Sequence, residues 1–252
     1  MQTIAVLGSH GFIGSHLVKR LSDLGHKVQE VSHKDLDKFE GADVIFNLMA
    51  FGNMANQVGD DEIFEANLHK LYQLLNKPHK SFINFSTSAI QLPNQTLYSA
   101  SKAAGEKLVE YYGGINLRPS SVFGSGEAPY RFIPTVIRGL KNDEPIYLDP
   151  LPMHVWIYIE DFIDGVISVF EHKEFLVGRN INISTSIQTS NQYIVGILEK
   201  ISGKQATIKI LENQRPWDSQ EWWVDNSDLI KLGWEQKHSL REGLKLTYEQ
   251  SG

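Results

Sequence analysis

TIAVLGSHGFIGSHLVKRL, residues 3–21, changes periodicity within a few positions. Residues 3–7 are a short, nearly continuous apolar run, the pattern of a strand buried on both faces. Residues 12–24 place apolar side chains at helical spacing, and 27–31 read as a second strand. Strand, turn, helix, strand is a βαβ unit, and the crossover helix makes the two strands parallel. The turn carries glycines at 8, 11 and 14, where a chain must adopt positive φ, approach a ligand closely with its backbone, or pack a helix tightly on a sheet. A helix beginning directly after it presents free N–H groups and partial positive charge, the requirements of a pyrophosphate site. Glycines in this context point to a bound dinucleotide rather than to a purely structural turn.

The pattern repeats downstream. Strands are expected at 43–48, 81–85 and 114–118, with helices at 63–75 and 100–112, giving an α/β Rossmann-type doubly wound parallel sheet. The span between Val31 and Asp43 is too short for a crossover helix and a strand, so that sheet edge is expected to be abbreviated. Beyond Phe123, glycines and prolines at 124, 126, 129, 134, 145, 150 and 152 break the chain into shorter elements. Helices are expected there at 132–141, 161–171, 191–202 and 239–248, and strands near Ile157 and Ile181. The organisation expected is a dinucleotide-binding core over 1–123, joined by return elements from about 156–183, and a smaller C-terminal α/β substrate-binding region over 124–252.

Composition narrows the function. The chain has 252 residues, a formal net charge of −6 and no cysteine. Without a continuous Lys/Arg face, nucleic acid is not an expected partner. The lack of cysteine removes disulfides, thiolate metal sites and cysteine nucleophiles, and no metal is expected. No apolar run approaches the ~20 residues that span a bilayer. The first residues run straight into a strand rather than a signal peptide. A cytoplasmic protein without membrane contact is the expectation.

Tyr98 and Lys102 in YSASKAAGE are four residues apart, so on a helix they share one face. An ammonium beside a phenol favours the phenolate and is expected to lower the tyrosine pKa into a usable range. INFSTSAI ends a strand in Ser86, Thr87 and Ser88, hydroxyls able to polarise a carbonyl or alkoxide. Near the end of the second strand stands VSHK. Glu30 precedes the strand end and reads as solvent-facing, so Ser32, His33 and Lys34 favour NADP(H), with NAD(H) the alternative.

GSHGFIG and YSASK together with NLMAFG from Asn47, Asn67, LRPSSVFGSG from Leu117, WIYIEDFIDGV from Trp156 and RPWDSQEWWVDNSDLIKLGW from Arg215 resemble the extended short-chain dehydrogenase/reductase family of nucleotide-sugar epimerases, dehydratases and reductases. The matches follow the family's order over almost the whole chain. The resemblance implies that Tyr98 exchanges the substrate proton, that Lys102 holds the nicotinamide ribose and tunes Tyr98, and that Thr87, or alternatively Ser88, hydrogen-bonds the reacting oxygen. It implies cofactor contacts from Gly8, His10, Gly11, Phe12, Ile13, Gly14, Leu48 and Ala50 besides Tyr98 and Lys102. Arg215 and His154, the latter standing where relatives often carry arginine, are implied on the nucleotide-sugar substrate. A homodimer is implied, pairing the 63–75 and 100–112 helices. Asn67, Arg118 and Asp161 also fall on family motifs, yet each has a plain structural reading: backbone satisfaction, an ion pair and a helix cap. Trp217, Trp222 and Trp223 stack on a ligand or pack the C-terminal region.

The departures select among reactions. Ser88 and Ala89 stand where resembling dehydratases place Asp and Glu, and the Cys/His pair of other epimerising branches is impossible here. Hydride transfer at sugar C4 remains, as reduction of a 4-keto sugar, favoured by the NADP-like VSHK, or as 4-epimerisation. A non-sugar carbonyl substrate is a further alternative. A non-catalytic dinucleotide sensor would be expected to have lost Tyr98 or Lys102.

Overall fold

A computed structural model describes residues 1–32, 34–53, 57, 59–211 and 221–251. The first half builds β1 (Thr3–Leu7), α1 (Phe12–Asp23), β2 (Lys27–Val31), β3 (Val44–Asn47), α2 (Asp60–Phe64), α3 (Lys70–Leu75), β4 (Ser81–Phe85), α4 (Leu97–Tyr111), β5 (Ile115–Pro119) and β6 (Ser121–Phe123). The second builds α5 (Phe132–Asn142), β7 (Ile146–Leu148), β8 (Met153–Tyr158), α6 (Ile159–Glu171), β9 (Asn180–Ile183), β10 (Gln188–Ser190), α7 (Asn191–Ser202), β11 (Ile208–Ile210), α8 (Ser227–Lys231) and α9 (Leu240–Gln250).

Strands β2-β1-β3-β4-β5-β9 form one sheet with every neighbouring pair parallel. β1, β3 and β4 are almost wholly buried, as continuous apolar strands covered on both faces must be. The expected abbreviation is present: a single 3₁₀ turn, Leu36–Lys38, replaces the crossover helix, and β2 is the sheet edge. The strand order reverses about β1, with β2 on one side and β3 on the other. Ligands of such sheets bind at this switch point, beyond the carboxyl ends of the strands.

An asparagine ladder crosses four neighbouring strands in register. Asn47 donates to Asn84, Asn84 to Asn116 and Asn116 to Asn180, each at 2.9 Å. The register pairs the same residues. Buried amides are tolerated because each meets a partner. The last rung leaves the sheet: Asn180 donates to Glu110 Oε1 at 2.8 Å, and Asn116 also donates to the Glu106 carbonyl at 3.2 Å. Both acceptors lie on α4, so the ladder fixes the helix that carries Tyr98 and Lys102.

The helix expected over 63–75 is α2 and α3 joined by a π-helical turn, Glu65–His69. Asn67 sits in that turn and explains it. Its amide exchanges two 2.9 Å bonds with the Phe51 backbone and donates to Ser101 Oγ at 2.9 Å, tying the loop after β3 to α4. β8 pairs with β10 and β6 in a three-stranded sheet, and β7 pairs with β11. Asp161 does not cap α6, contrary to the capping alternative. Its carboxylate accepts from the backbone N–H groups of Lys237 and His238 and meets His238 Nδ1 at 2.9 Å, clamping the segment before α9.

Candidate active site

The glycine turn has the shape that backbone recognition requires. Gly8 has φ +79°, and a Cβ there would lie 3.3 Å from the Leu48 backbone at the end of β3. A Cβ on Gly14 would run into the Gly8 carbonyl oxygen, so the close seating of α1 on the turn depends on glycine. No side chain caps α1, and its first turn holds no acid. Its free N–H groups are therefore available to an anion. Gly11 and His10 are exposed, while Phe12, Ile13, Leu48 and Ala50 are partly buried around the same crevice.

At the end of β2 stands a carboxylate that the sequence reading passed over. Ser32 Oγ donates to Asp35 Oδ2 at 2.5 Å, and the Asp35 N–H donates back to the Ser32 carbonyl at 3.0 Å. The turn holds an acid beside the strand end, where an acid receives ribose hydroxyls and opposes a 2′-phosphate. Asp35 was missed because it lies four residues past Val31, and only the turn that its N–H closes on the Ser32 carbonyl brings it back. Lys34 is exposed, and its backbone N–H donates to Ser32 Oγ at 3.3 Å. His33 lies outside the described residues. The NADP preference drawn from VSHK finds no support in this geometry.

α4 starts at a capping box in which Thr96 and Ser99 satisfy each other's backbone N–H groups. One face of the helix carries Tyr98, Lys102 and Glu106 in successive turns. Lys102 is buried and, among the described residues, makes no hydrogen bond. Burial pulls its pKa down to about 8, with the Glu106 charge opposing the fall. The expected lowering of the Tyr98 pKa is reversed: burial pushes the phenol up to about 12. The cation acting against that rise is Arg131, and desolvation outweighs its charge. A Cβ on Gly52 would approach Tyr98 Cβ to 3.5 Å, which places the loop after β3 against the tyrosine.

The three hydroxyls after β4 differ. Thr87 Oγ1 accepts from the Ala89 N–H at 3.2 Å and caps the short 3₁₀ turn Ser88–Gln91. Ser86 and Ser88 are buried, with side-chain oxygens that meet no partner among the described residues. A buried hydroxyl without a partner costs free energy until a ligand supplies one. The buried, unbonded ammonium of Lys102, these hydroxyls and the open glycine cradle together fit a dinucleotide with a polar substrate.

The loop after β6 completes the cleft. Cβ atoms on Gly124 and Gly126 would fall 3.6 Å and 3.8 Å from the Phe12 ring, and the Ser125 carbonyl meets His16 Nε2 at 3.0 Å. The loop therefore rests on the start of α1. Arg118 takes the ion-pair alternative, bonding Glu106 through Nε and Nη2. His154 lies on β8 between Trp156 and Trp222, with both ring centroids at 5.4 Å. Trp223 is exposed. Arg215 and Trp217 lie outside the described residues. No group of His, Asp or Glu able to hold a metal forms among the described residues, and none of their helices is long and apolar enough to cross a membrane.

Comparison with known proteins agrees with this architecture. A low-salt glycan biosynthesis protein of Haloferax volcanii is 26% identical over 96% of both chains. A trifunctional UDP-glucose 4,6-dehydratase/UDP-4-keto-6-deoxy-D-glucose 3,5-epimerase/UDP-4-keto-L-rhamnose-reductase of Arabidopsis thaliana is 28% identical over 83% of this chain, which spans only 36% of that longer protein. The Bacillus cereus UDP-glucuronic acid 4-epimerase, solved with UDP-glucuronic acid and NAD, superposes with a TM-score of 0.86 at 24% identity over 98% of each chain, a likeness of fold. The model of the NAD dependent epimerase/dehydratase family matches residues 4–184, and the chain belongs to that family.

Proposed function

We propose that the protein transfers hydride at C4 of a nucleotide-linked sugar, using NAD and returning the hydride to the same carbon, so that the net reaction is 4-epimerisation. The observation that carries this reading is the buried ammonium of Lys102, without a hydrogen bond among the described residues and one helical turn from Tyr98, in a chain whose β4 ends in two buried hydroxyls that also lack partners there. NAD, when bound, supplies the hydride acceptor and donor. Lys102 would hold the nicotinamide ribose hydroxyls, and its charge, one helical turn from Tyr98, would favour the phenolate. Tyr98 takes the proton of the C4 hydroxyl as the C4–H bond breaks and returns it to the carbonyl oxygen on the way back. Ser88, whose hydroxyl meets no partner among the described residues, is taken as the donor to that oxygen, with Thr87, whose Oγ1 accepts the Ala89 N–H and can still donate its own proton, as the alternative.

The Ser32–Asp35 turn supports NAD and removes the argument that favoured an exchangeable reductant. A second reading, 4-keto-sugar reduction with NADPH, keeps one supporting feature, the cation Lys34 beside the strand end. Residues 124–252 are assigned to the substrate, with Arg215 and His154 on the nucleotide diphosphate. The exposed aromatics Phe64, Tyr72 and Tyr112 on the outer face of α2, α3 and the end of α4 support a homodimer through these helices.

The test is incubation with UDP-, dTDP-, GDP- and CDP-linked hexoses, followed by proton NMR and nicotinamide absorbance. Interconversion at C4 without net change in absorbance is expected. Net consumption of NADPH selects the reductase, and inertness toward every sugar overturns the sugar reading.

A further inference from the structure

Gly124, Ser125 and Gly126 are gripped between the first turns of two helices, α1 and α6. Phe12 and His16, one turn apart on α1, stand edge to face with ring centroids 5.7 Å apart. Phe12 lies against both glycines, and the Ser125 carbonyl between them meets His16 Nε2 at 3.0 Å. On the other side, a Cβ on Gly124 would run into Ile159, the first residue of α6, and Glu160 Oε1 stands 3.8 Å from His16 Nδ1. A carbonyl oxygen only accepts, so His16 carries a proton on Nε2 and turns Nδ1 toward Glu160.

The two sides of this clamp belong to different halves of the site. Phe12 opens α1, whose free N–H groups are available to the dinucleotide. Ile159 directly follows β8, which pairs with β6 as far as Phe123 and Tyr158 and carries His154 and Trp156. We propose that His16 is a positioning residue that couples the two ligands: its bond to the Ser125 carbonyl fixes the β6–β8 sheet against the phosphate cradle, so that NAD seated on α1 tightens binding of the nucleotide-sugar. The inference rests on the nucleotide-sugar reading and on a dinucleotide at the glycine turn. His16 acts through the loop and through Phe12 rather than on either ligand. A dinucleotide that orders the start of α1 orders the loop through His16, and the second ligand then meets a loop already in place. An apolar ring at position 16 keeps the packing on Phe12 but takes this donor from the Ser125 carbonyl, and the order is no longer passed on.

The test compares wild type, His16→Phe and His16→Gln, the last of which restores an N–H donor at the reach of Nε2. UDP-, dTDP-, GDP- and CDP-glucose are screened on wild type. The tightest binder is titrated by calorimetry into cofactor-stripped protein and into protein saturated with NADH. Wild type is expected to gain about tenfold in affinity for it from NADH. His16→Phe is expected to hold that gain below about twofold while binding NADH alone within about threefold of wild type. His16→Gln should recover most of the gain. A merely structural role would weaken both ligands or lower Tm and leave the ratio unmoved. NMR of the histidine ring nitrogens is expected to find the His16 proton on Nε2. If His16→Phe does not fold, His16→Asn, whose amide stops short of the carbonyl, is read in its place. An unchanged NADH gain in the variant, no gain in wild type, or a proton on Nδ1 alone overturns the coupling and leaves the sugar reading intact. Failure of wild type to bind any of the four sugar nucleotides overturns both.

Discussion

Glu106 accepts two bonds from Arg118, Nε to Oε1 at 2.9 Å and Nη2 to Oε2 at 2.6 Å, one helical turn beyond Lys102. The carboxylate is the charge that holds the Lys102 pKa up against burial. Arg118, whose own pKa the pair raises, anchors that carboxylate from β5. Glu106→Gln is therefore expected to act twice. It leaves Arg118 without its partner, at a cost of about 3 kcal/mol in a urea melt. It also lets the Lys102 pKa fall further. That pKa already lies below its ordinary value, so the ammonium is lost as pH rises through about 8. NADH affinity should decline above that pH in wild type and from a lower pH in Glu106→Gln. Identical pH profiles would show that Glu106 is only a packing residue.

The hydroxyls after β4 make a sharper contrast. Ser88→Ala removes a group with no structural bond, so the fold should be unharmed, with Tm unchanged within about 2 °C, while kcat falls on the order of 10²-fold. Thr87→Ala removes the acceptor for the Ala89 N–H and should cost about 1 kcal/mol of stability with a smaller loss of kcat. Thermal melts beside steady-state rates separate the two, and the reverse pattern would make Thr87 the reacting hydroxyl.

Asp35 is expected to set the cofactor preference. Asp35→Asn keeps the size of the side chain but loses the charge that receives ribose hydroxyls, and about tenfold weaker NAD binding is expected. NADP binding should hold or improve. Titration of both cofactors by calorimetry or fluorescence checks the ratio, and a wild-type preference for NADP would restore the reading drawn from VSHK.

What could be read from sequence follows physical range. β1, the glycine turn and α1 are local, and the periodicity of residues 3–21 contains them. The pairing of Tyr98 with Lys102 is likewise a property of one helix. Asp35 was missed because the turn from Ser32 to Asp35 sets its position relative to β2, and turn geometry leaves a weak pattern. The Tyr98 pKa was misjudged because helical spacing places the ammonium but says nothing of desolvation. Glu127 carries no local signal at all. It lies in the loop after β6, whose Gly124 and Gly126 close on Phe12, more than a hundred residues earlier. The clamp made by Asp161, for which a helix cap was one alternative, was out of reach for the same reason, since the backbone it holds belongs to residues 237 and 238.

The asparagine ladder binds these distant pieces. Asn84 is its centre, receiving from Asn47 and giving to Asn116, and all three are buried. Asn84→Ala leaves a donor on Asn47 and an acceptor on Asn116 unpaired, which is expected to cost about 2–4 kcal/mol. Asn84→Leu should cost at least as much. Chemical denaturation measures the loss, and the effect on kcat should exceed that of an equally destabilising core change such as Ile83→Ala, because the ladder ends on α4.

Glu127 also makes the fold sensitive to pH, with a definite sign. Its pKa in the folded protein, about 8, lies above the ordinary 4.5, so between these values the folded state holds a proton that the unfolded chain has released. Stability contributed by the neutral carboxyl is then full below pH 4.5 and is lost progressively as pH rises toward 8. Glu127→Gln, which cannot ionise, should remove that loss. The variant is expected to match wild type near pH 5 and to exceed it by on the order of 1–3 kcal/mol at pH 8–9, read as the difference between two series of urea melts. The direction follows from burial outweighing Arg131. Were the guanidinium at 3.8 Å dominant, Glu127 would be a stable carboxylate, and Glu127→Gln would instead lose stability as the pH rises.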